Sequence, residues 1–111
     1  MAFDPPVQAR LSGPIFFERR ELSRILTLYG RMVAAGEWRD YAIDALSEAC
    51  SFAVYKRSSE APIYRIEKRP ALARRQGAWA VVGHGGVILK RGHELEAVLR
   101  FFDKGRFKVV D

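Results

Sequence analysis

Two runs of β-branched and aromatic residues, separated by a short polar stretch, constrain the fold of this chain more than any other feature. Both runs lie within residues 49–69, and the polar stretch between them, residues 58–62, ends in Pro62. Alternation of apolar and charged positions in such runs is typical of β-strands, and a polar stretch closed by proline is typical of the turn that joins them. Residues 49–69 therefore predict a β-hairpin.

The alternation also predicts which side chains share a face of the hairpin. Pro70 has no N–H to donate to a neighbouring strand and marks the end of the second strand. Arg65 and Glu67 are expected on the opposite side from their immediate neighbours. In the first strand, Cys50, Phe52 and Val54 are expected on one side and Ser51, Ala53 and Tyr55 on the other; in the second strand, Tyr64, Ile66 and Lys68 are expected opposite Ile63, Arg65, Glu67 and Arg69.

Two segments have the periodicity of amphipathic helices. Residues 18–35 form the first, which Gly36 is placed to end. Residues 93–103 form the second, with acidic residues in its first turn, where the helix dipole favours them. The apolar stripes are Leu22, Ile25, Leu26, Tyr29 and Val33 in the first helix, and Leu95, Val98, Leu99 and Phe102 in the second.

Further short strands are predicted on both sides of the hairpin. They span residues 41–46, 78–82 and 87–91, the last two joined by a glycine-rich reversal at 83–86, with a possible edge strand at 106–110. Residues 15–17 predict a short strand or an apolar lead-in to the first helix. The fold class expected is α+β: an antiparallel sheet of four to six strands in meander order, with two amphipathic helices packed on it.

Length and composition limit the domain organisation. A chain of 111 residues is long enough for one hydrophobic core, so residues 15–111 are expected to form a single domain. Residues 1–14 carry three of the five prolines and predict a flexible arm. No apolar run reaches secretory or membrane-spanning length, and the single cysteine, Cys50, fits a reducing compartment. We therefore expect a cytoplasmic protein, with an oligomeric state that the sequence leaves open.

The positive charge of the chain points to a polyanion as partner. The net charge is +6, and residues 56–75 hold seven basic residues against two acidic ones. These cations are accompanied by aromatic residues, namely Tyr55, Tyr64 and Trp79, and such a combination suits single-stranded nucleic acid. The alternative interpretation is that the aromatic residues belong to the core and the cations form a solvated rim around it. The candidate polyanion-binding residues are Lys56, Arg57, Arg65, Lys68, Arg69, Arg74 and Arg75, joined by Lys90 and Arg91 if the second hairpin lies alongside.

An acidic segment, residues 37–48, supports an alternative function. It predicts a docking spot for a basic partner, so that the protein would act as a protein–protein adaptor or regulatory subunit. The structural interpretation is that Trp38 packs over the end of the first helix while the acidic side chains face water. The candidate docking residues are Glu37, Trp38, Asp40, Tyr41 and Asp44.

Residues with catalytic potential are few. His84 lies in the glycine-rich reversal and His93 at a helix start, and Cys50 is expected to be buried. The reversal at 83–86 lacks the lysine and hydroxyl of a phosphate-binding loop. The acidic segment matches no calcium loop. We therefore predict a non-catalytic protein and assign no catalytic, cofactor-binding or metal-binding residue.

Three segments carry a resemblance to a known family: residues 29–41 (YGRMVAAGEWRDY), 64–70 (YRIEKRP) and 89–95 (LKRGHEL). With these segments the chain resembles the short alphaproteobacterial proteins grouped as the domain-of-unknown-function family DUF2794, from about Phe17 to Phe102. The resemblance implies a bacterial cytosolic protein. The family has no assigned activity, ligand or catalytic residue, so the resemblance assigns no role to any single position.

Overall fold

The first helix, α1, spans Arg19–Ala34 in the computed structural model, which describes residues 13–57 and 61–103. Its start is fixed by Glu21, whose carboxylate accepts a hydrogen bond of 2.8 Å from the backbone N–H of Glu18. Beyond its end, Gly36 adopts a φ of +79°, which glycine tolerates at a helix C-terminus. The helix predicted over residues 18–35 is thus present.

The buried stripe of α1 is narrower than predicted, and it is rotated. Ile25, Leu28 and Met32 are buried, whereas Leu26 and Val33 are 37% and 40% exposed. Leu26 follows the buried Ile25, and Val33 follows the buried Met32. Each is therefore rotated by about 100° around the helix axis from its buried neighbour, and both lie on the same flank of the helix. The second helix packs against the other flank, so nothing among the described residues covers these two side chains.

Five antiparallel strands form one sheet in the order β1-β2-β3-β4-β5. Their number and meander order confirm the predicted architecture, and the three strands predicted at 41–46, 78–82 and 87–91 are each displaced by one residue. A register shift between Val81 and Val82 marks a bulge where β4 pairs with β5. The strands are β1 (Asp40–Ala45), β2 (Cys50–Tyr55), β3 (Tyr64–Lys68), β4 (Trp79–Gly83) and β5 (Ile88–Gly92).

The register separates the two faces of the sheet. Phe52 pairs with Ile66, and Ile66 with Val81, so these apolar residues form a row on the face that packs against the helices, here called the helix face. The neighbouring row, Ala53, Arg65 and Val82, lies on the opposite face, here called the second face. The predicted division of the hairpin residues between two faces is therefore confirmed.

The core between α1 and the helix face is rich in aromatic rings. Trp38, which follows α1, is only 3% exposed, and the centroid of its ring lies 5.1 Å from that of Phe102. At the other end of the sheet, Phe17 stacks on Trp79 with centroids 6.1 Å apart. The backbone N–H of Ile15, in the same segment as Phe17, donates to the carbonyl oxygen of Leu46, so residues 15–17 are the apolar lead-in rather than a strand.

The second helix, α2, spans Leu95–Leu99 and is shorter than the predicted 93–103. Its residues pack on β4 and β5, with Val98 fully buried. A turn at Arg100 separates it from helical residues 101–103. The helix begins at Leu95 and not at His93. The ring Nδ1 of His93 instead lies 3.0 Å from the carbonyl oxygen of Ala73, and this contact joins the β3–β4 connection to the end of β5.

The predicted N-terminal arm falls almost wholly in residues 1–12, and the predicted edge strand in residues 106–110; both lie outside the described residues. Among the helices that are described, none combines the length and the apolar character needed to cross a membrane.

Candidate polyanion-binding surface

Lys68, one of the predicted polyanion-binding residues, lies on the helix face. Its Nζ is 2.7 Å from a carboxylate oxygen of Glu21 and 3.0 Å from the carbonyl oxygen of Phe16. The same nitrogen lies 5.9 Å from the centre of the Trp79 ring. Because the Lys68 charge is enclosed and paired inside the domain, Lys68 is not placed on a surface shared with the other cations.

Arg69 lies close to two carboxylates. Its guanidinium is 3.5 Å from Glu67 and 3.7 Å from Glu48. These contacts balance its positive charge locally, so Arg69 contributes little to any field directed at an external anion.

Arg65 and Arg91 lie on the second face, where no carboxylate lies within 4.0 Å of either guanidinium among the described residues. Arg65 is flanked across the strands by Ala53 and Val82, and Arg91 is opposite Ala80. Glu67 lies on the same face, opposite Ala80 and two residues from Arg65, so this part of the sheet carries one carboxylate, which is paired with Arg69, beside the two arginines.

Arg91 also connects the second face to the loop after β3. Its guanidinium donates a hydrogen bond of 3.1 Å to the carbonyl oxygen of Gly77. The preceding turn, residues 73–76, carries Arg74 and Arg75, both exposed. These three arginines therefore lie near one end of the sheet.

Lys56 and Arg57 lie at the other end, directly after β2, and both are exposed. Arg39 lies beside them, since its backbone N–H donates to the carbonyl oxygen of Tyr55 and it lines the same surface depression as Lys56 and Arg57. Arg39 belongs to the acidic segment of the sequence and was not predicted as a binding residue, because only the fold brings it close to Lys56 and Arg57. Lys90 is opposite Val81, so it projects on the helix face at the sheet edge and lies apart from the others.

Five of the predicted cations consequently trace a diagonal from the end of β2, across the second face, to the loop before β4. The diagonal covers about six residues along the strands and three strand spacings across them, or about 24 Å. We call this set the basic track; its members are Arg57, Arg65, Arg91, Arg74 and Arg75.

The aromatic residues expected to accompany the cations are mostly in the core. Trp79 is 6% exposed, and the ring of Tyr64 lies 5.1 Å from that of Phe102. The structural interpretation of these two residues is therefore correct. Tyr55 is half-buried and, by alternation with Val54, lies on the second face near the start of the basic track.

The candidate docking residues divide in the same way. The prediction that Trp38 takes part in docking is wrong, because its ring is buried against Phe102 and Tyr29. Tyr41 stacks on Phe52 with centroids 4.7 Å apart and keeps 41% of its surface exposed. The other three residues are accessible: Asp40 and Asp44 are exposed on β1, and Glu37 is half-buried.

The reactive side chains lie far apart. Cys50 is in the same cross-sheet row as Gly92, three strand spacings or about 14 Å away, so His93, next to Gly92, is not adjacent to the thiol. His84 is at the opposite end of β4. Burial raises the pKa of the Cys50 thiol, although the backbone N–H of Phe17 and the charge of Lys68 act in the other direction. Residues 13–57 and 61–103 contain no group of three metal-ligating side chains.

Residues 15–99, about three quarters of the chain, match the family described as "Protein of unknown function (DUF2794)". The chain belongs to the DUF2794 family. The match spans α1, the whole sheet and α2, and it confirms the resemblance carried by the three sequence segments. Comparisons with curated proteins and with solved structures return no match. The family description names no activity, so the function of this DUF2794 chain has to be argued from its geometry.

Proposed function

We propose that this DUF2794 chain is a non-catalytic module that binds a polyanion, namely single-stranded nucleic acid, along the basic track. The observation that carries the proposal is the division of the cations into two classes. Lys68 and Arg69 are paired with carboxylates, whereas no member of the basic track has a carboxylate within 4.0 Å among the described residues. A cytoplasmic location, where such ligands are abundant, is part of the proposal.

Unpaired guanidinium groups arranged in a line suit a phosphate backbone. Each can donate two hydrogen bonds to one phosphate, and neutralising successive phosphates releases counterions from the strand. A track of about 24 Å corresponds to roughly seven stacked nucleotides at about 3.4 Å each. The track is therefore long enough for a short segment of a strand.

The shape of the second face favours a single strand over a duplex. Recognition of the duplex major groove usually requires an inserted helix or a two-stranded ribbon. The second face is instead a sheet surface, on which the small residues Ala53, Ala80 and Val82 are at most 6% exposed and the longer side chains beside them, including Glu67, would contact a bound strand. Tyr55 supplies a half-exposed ring on which one base can stack beside Arg57.

Salt-dependent binding tests this proposal. Fluorescence anisotropy with a labelled single-stranded oligonucleotide of about 12 residues should show affinity that falls steeply as salt rises, with a logarithmic slope of roughly −3. The double variant Arg65→Gln/Arg91→Gln should weaken binding and flatten the slope. Arg19→Gln, an exposed arginine on α1, is the matched control and should change neither. Absence of binding at low salt would refute the proposal.

A second candidate function is an adaptor that docks a partner on β1. All six residues of β1 are at the edge of the sheet, five of them exposed, and the strand carries Asp40 and Asp44 together with the part-exposed apolar residue Ile43. An extended segment with basic and apolar side chains could add to this edge as a further strand. Affinity capture with nuclease treatment separates the two candidates, since an adaptor partner should remain bound after digestion and should be lost with Asp40→Asn/Asp44→Asn.

A further inference from the structure

A depression on the surface lies where α1 ends, β1 begins and β2 ends. It is lined by Val33, Gly36, Trp38, Arg39, Lys56 and Arg57. The backbone N–H of Arg39 donates a hydrogen bond of 2.7 Å to the carbonyl oxygen of Tyr55, the residue already paired with Asp40, so Arg39 lies beside the end of β2. Arg57, the first member of the basic track, is next to Lys56, so three positive side chains surround one depression.

This arrangement is electrostatically unfavourable in the absence of a bound anion. Like charges that line one depression repel each other. Among the described residues, no carboxylate lies within 4.0 Å of the charged groups of Arg39, Lys56 or Arg57, although Asp40 follows Arg39 in the chain. The C-terminal end of α1 offers a partial negative charge of only about one half, which is less than the three positive charges gathered there.

The donors available in the depression are side-chain groups. The backbone N–H groups of Gly36, Glu37 and Trp38 all donate to carbonyl oxygens at the end of α1, and that of Arg39 donates to β2. Two guanidinium groups and one ammonium group remain, a set that matches the several oxygens and the double negative charge of a phosphate monoester better than the single charge of a phosphodiester.

We infer that the depression binds the terminal phosphate of a nucleic-acid strand whose backbone then follows the basic track. This inference rests on the proposed function, because Arg57 belongs to both sites. Arg39 belongs to the depression alone, which allows the two sites to be tested separately. The chemistry recognised is a phosphate monoester, which a strand end and a free nucleotide both provide.

The test compares four labelled or competing probes: one oligonucleotide with a 5′-phosphate, the same strand with a 3′-phosphate, the same strand without a terminal phosphate, and a nucleoside monophosphate. The expected result is that one of the phosphorylated strands binds roughly tenfold more tightly than the unphosphorylated strand. Arg39→Gln should abolish this preference and leave the affinity for the unphosphorylated strand unchanged. Arg100→Gln, an exposed arginine after α2, is the control.

Each outcome separates this inference from the proposed function. If all three strands bind equally and Arg39→Gln has no effect, the terminal-phosphate site is refuted while the proposed function stands. If the nucleoside monophosphate binds in an Arg39-dependent manner and the strands show no preference, the ligand is a free nucleotide and the inference is refuted. If no strand binds at low salt, the proposed function is refuted, and the inference that rests on it is refuted with it.

Discussion

Lys68 and Glu21 form an ion pair between β3 and α1, in which Nζ lies 2.7 Å from the carboxylate oxygen. Only 14% and 19% of the two side chains are exposed, and the lysine nitrogen also donates to the carbonyl oxygen of Phe16. The pair therefore joins the start of the chain, the first helix and the centre of the sheet at one point.

Replacing Lys68 by methionine should cost about 2–3 kcal/mol, because a mostly enclosed Glu21 carboxylate then lacks its partner. The double variant Lys68→Met/Glu21→Gln should be more stable than the single variant. Glu96→Gln is the control, since Glu96 pairs with Arg24 at the surface and such pairs contribute less than about 1 kcal/mol. Urea unfolding measures the free energy of unfolding of all three variants. Equal stability of Lys68→Met and Glu96→Gln would contradict the assignment of Lys68 and Glu21 as an enclosed ion pair.

Gly77 should be among the least replaceable residues. A Cβ at this position would lie 2.2 Å from the backbone carbonyl carbon of Gly92, and φ is +105°. Gly77→Ala must move the β3–β4 connection away from β5, and we expect a loss of more than about 3 kcal/mol. Gly30→Ala is the matched control: it lies inside α1 with no atom within 4 Å of the added Cβ, and should stabilise the protein by about 0.5–1 kcal/mol.

Cys50 should make stability depend on alkaline pH. Burial raises the pKa of its thiol in the folded state above the ordinary value of 9.0. The neutral thiol therefore contributes stability that is fully present below pH 9.0 and is lost as the pH rises through the folded-state pKa. The difference in unfolding free energy between the unmodified protein and Cys50→Ala should shrink between pH 8 and about pH 10.5. A difference that stays constant over this range would contradict the prediction.

Arg65, which has no carboxylate within 4.0 Å in residues 13–57 and 61–103, and Arg69, which has two, offer a direct comparison. Arg65→Gln should reduce the logarithmic salt slope of oligonucleotide binding by about 0.7, the contribution of one phosphate contact on a single strand. Arg69→Gln should leave the slope nearly unchanged, because its guanidinium lies near Glu67 and Glu48. Titrations at four or more salt concentrations provide the two slopes. If both variants reduced the slope equally, Arg65 would not differ from Arg69 in its contact with the strand, and the assignment of residues to the basic track would be contradicted.

The fold follows from local patterns to a large extent. Alternation in residues 49–69 correctly separated Phe52 from Ala53 and Ile66 from Arg65, and the glycine-rich reversal correctly separated β4 from β5. The orientation of α1 did not follow, since Leu26 and Leu28 are equally apolar and only the position of α2 on one flank decides which of them is covered.

The candidate site was less predictable, for a reason visible in two residues. Alternation had already put Lys68 and Arg65 on opposite faces, but only the packed structure shows that the face of Lys68 is the one covered by α1. Arg39 was missed because its neighbours in the sequence are acidic, whereas the fold brings it to the same depression as Lys56 and Arg57. Charge clusters formed by the fold are not contiguous in the chain.

Chemical-shift mapping tests the central claim most directly. Titrating the isotopically labelled full chain with a single-stranded oligonucleotide at low salt should shift backbone amide signals of Tyr55, Arg57, Arg65 and Arg91, together with those of the 73–76 turn. Amides of the outer surface of α1, such as Ser23 and Thr27, should stay unchanged. Shifts confined to α1, or no shifts at saturating oligonucleotide, would contradict binding along the second face.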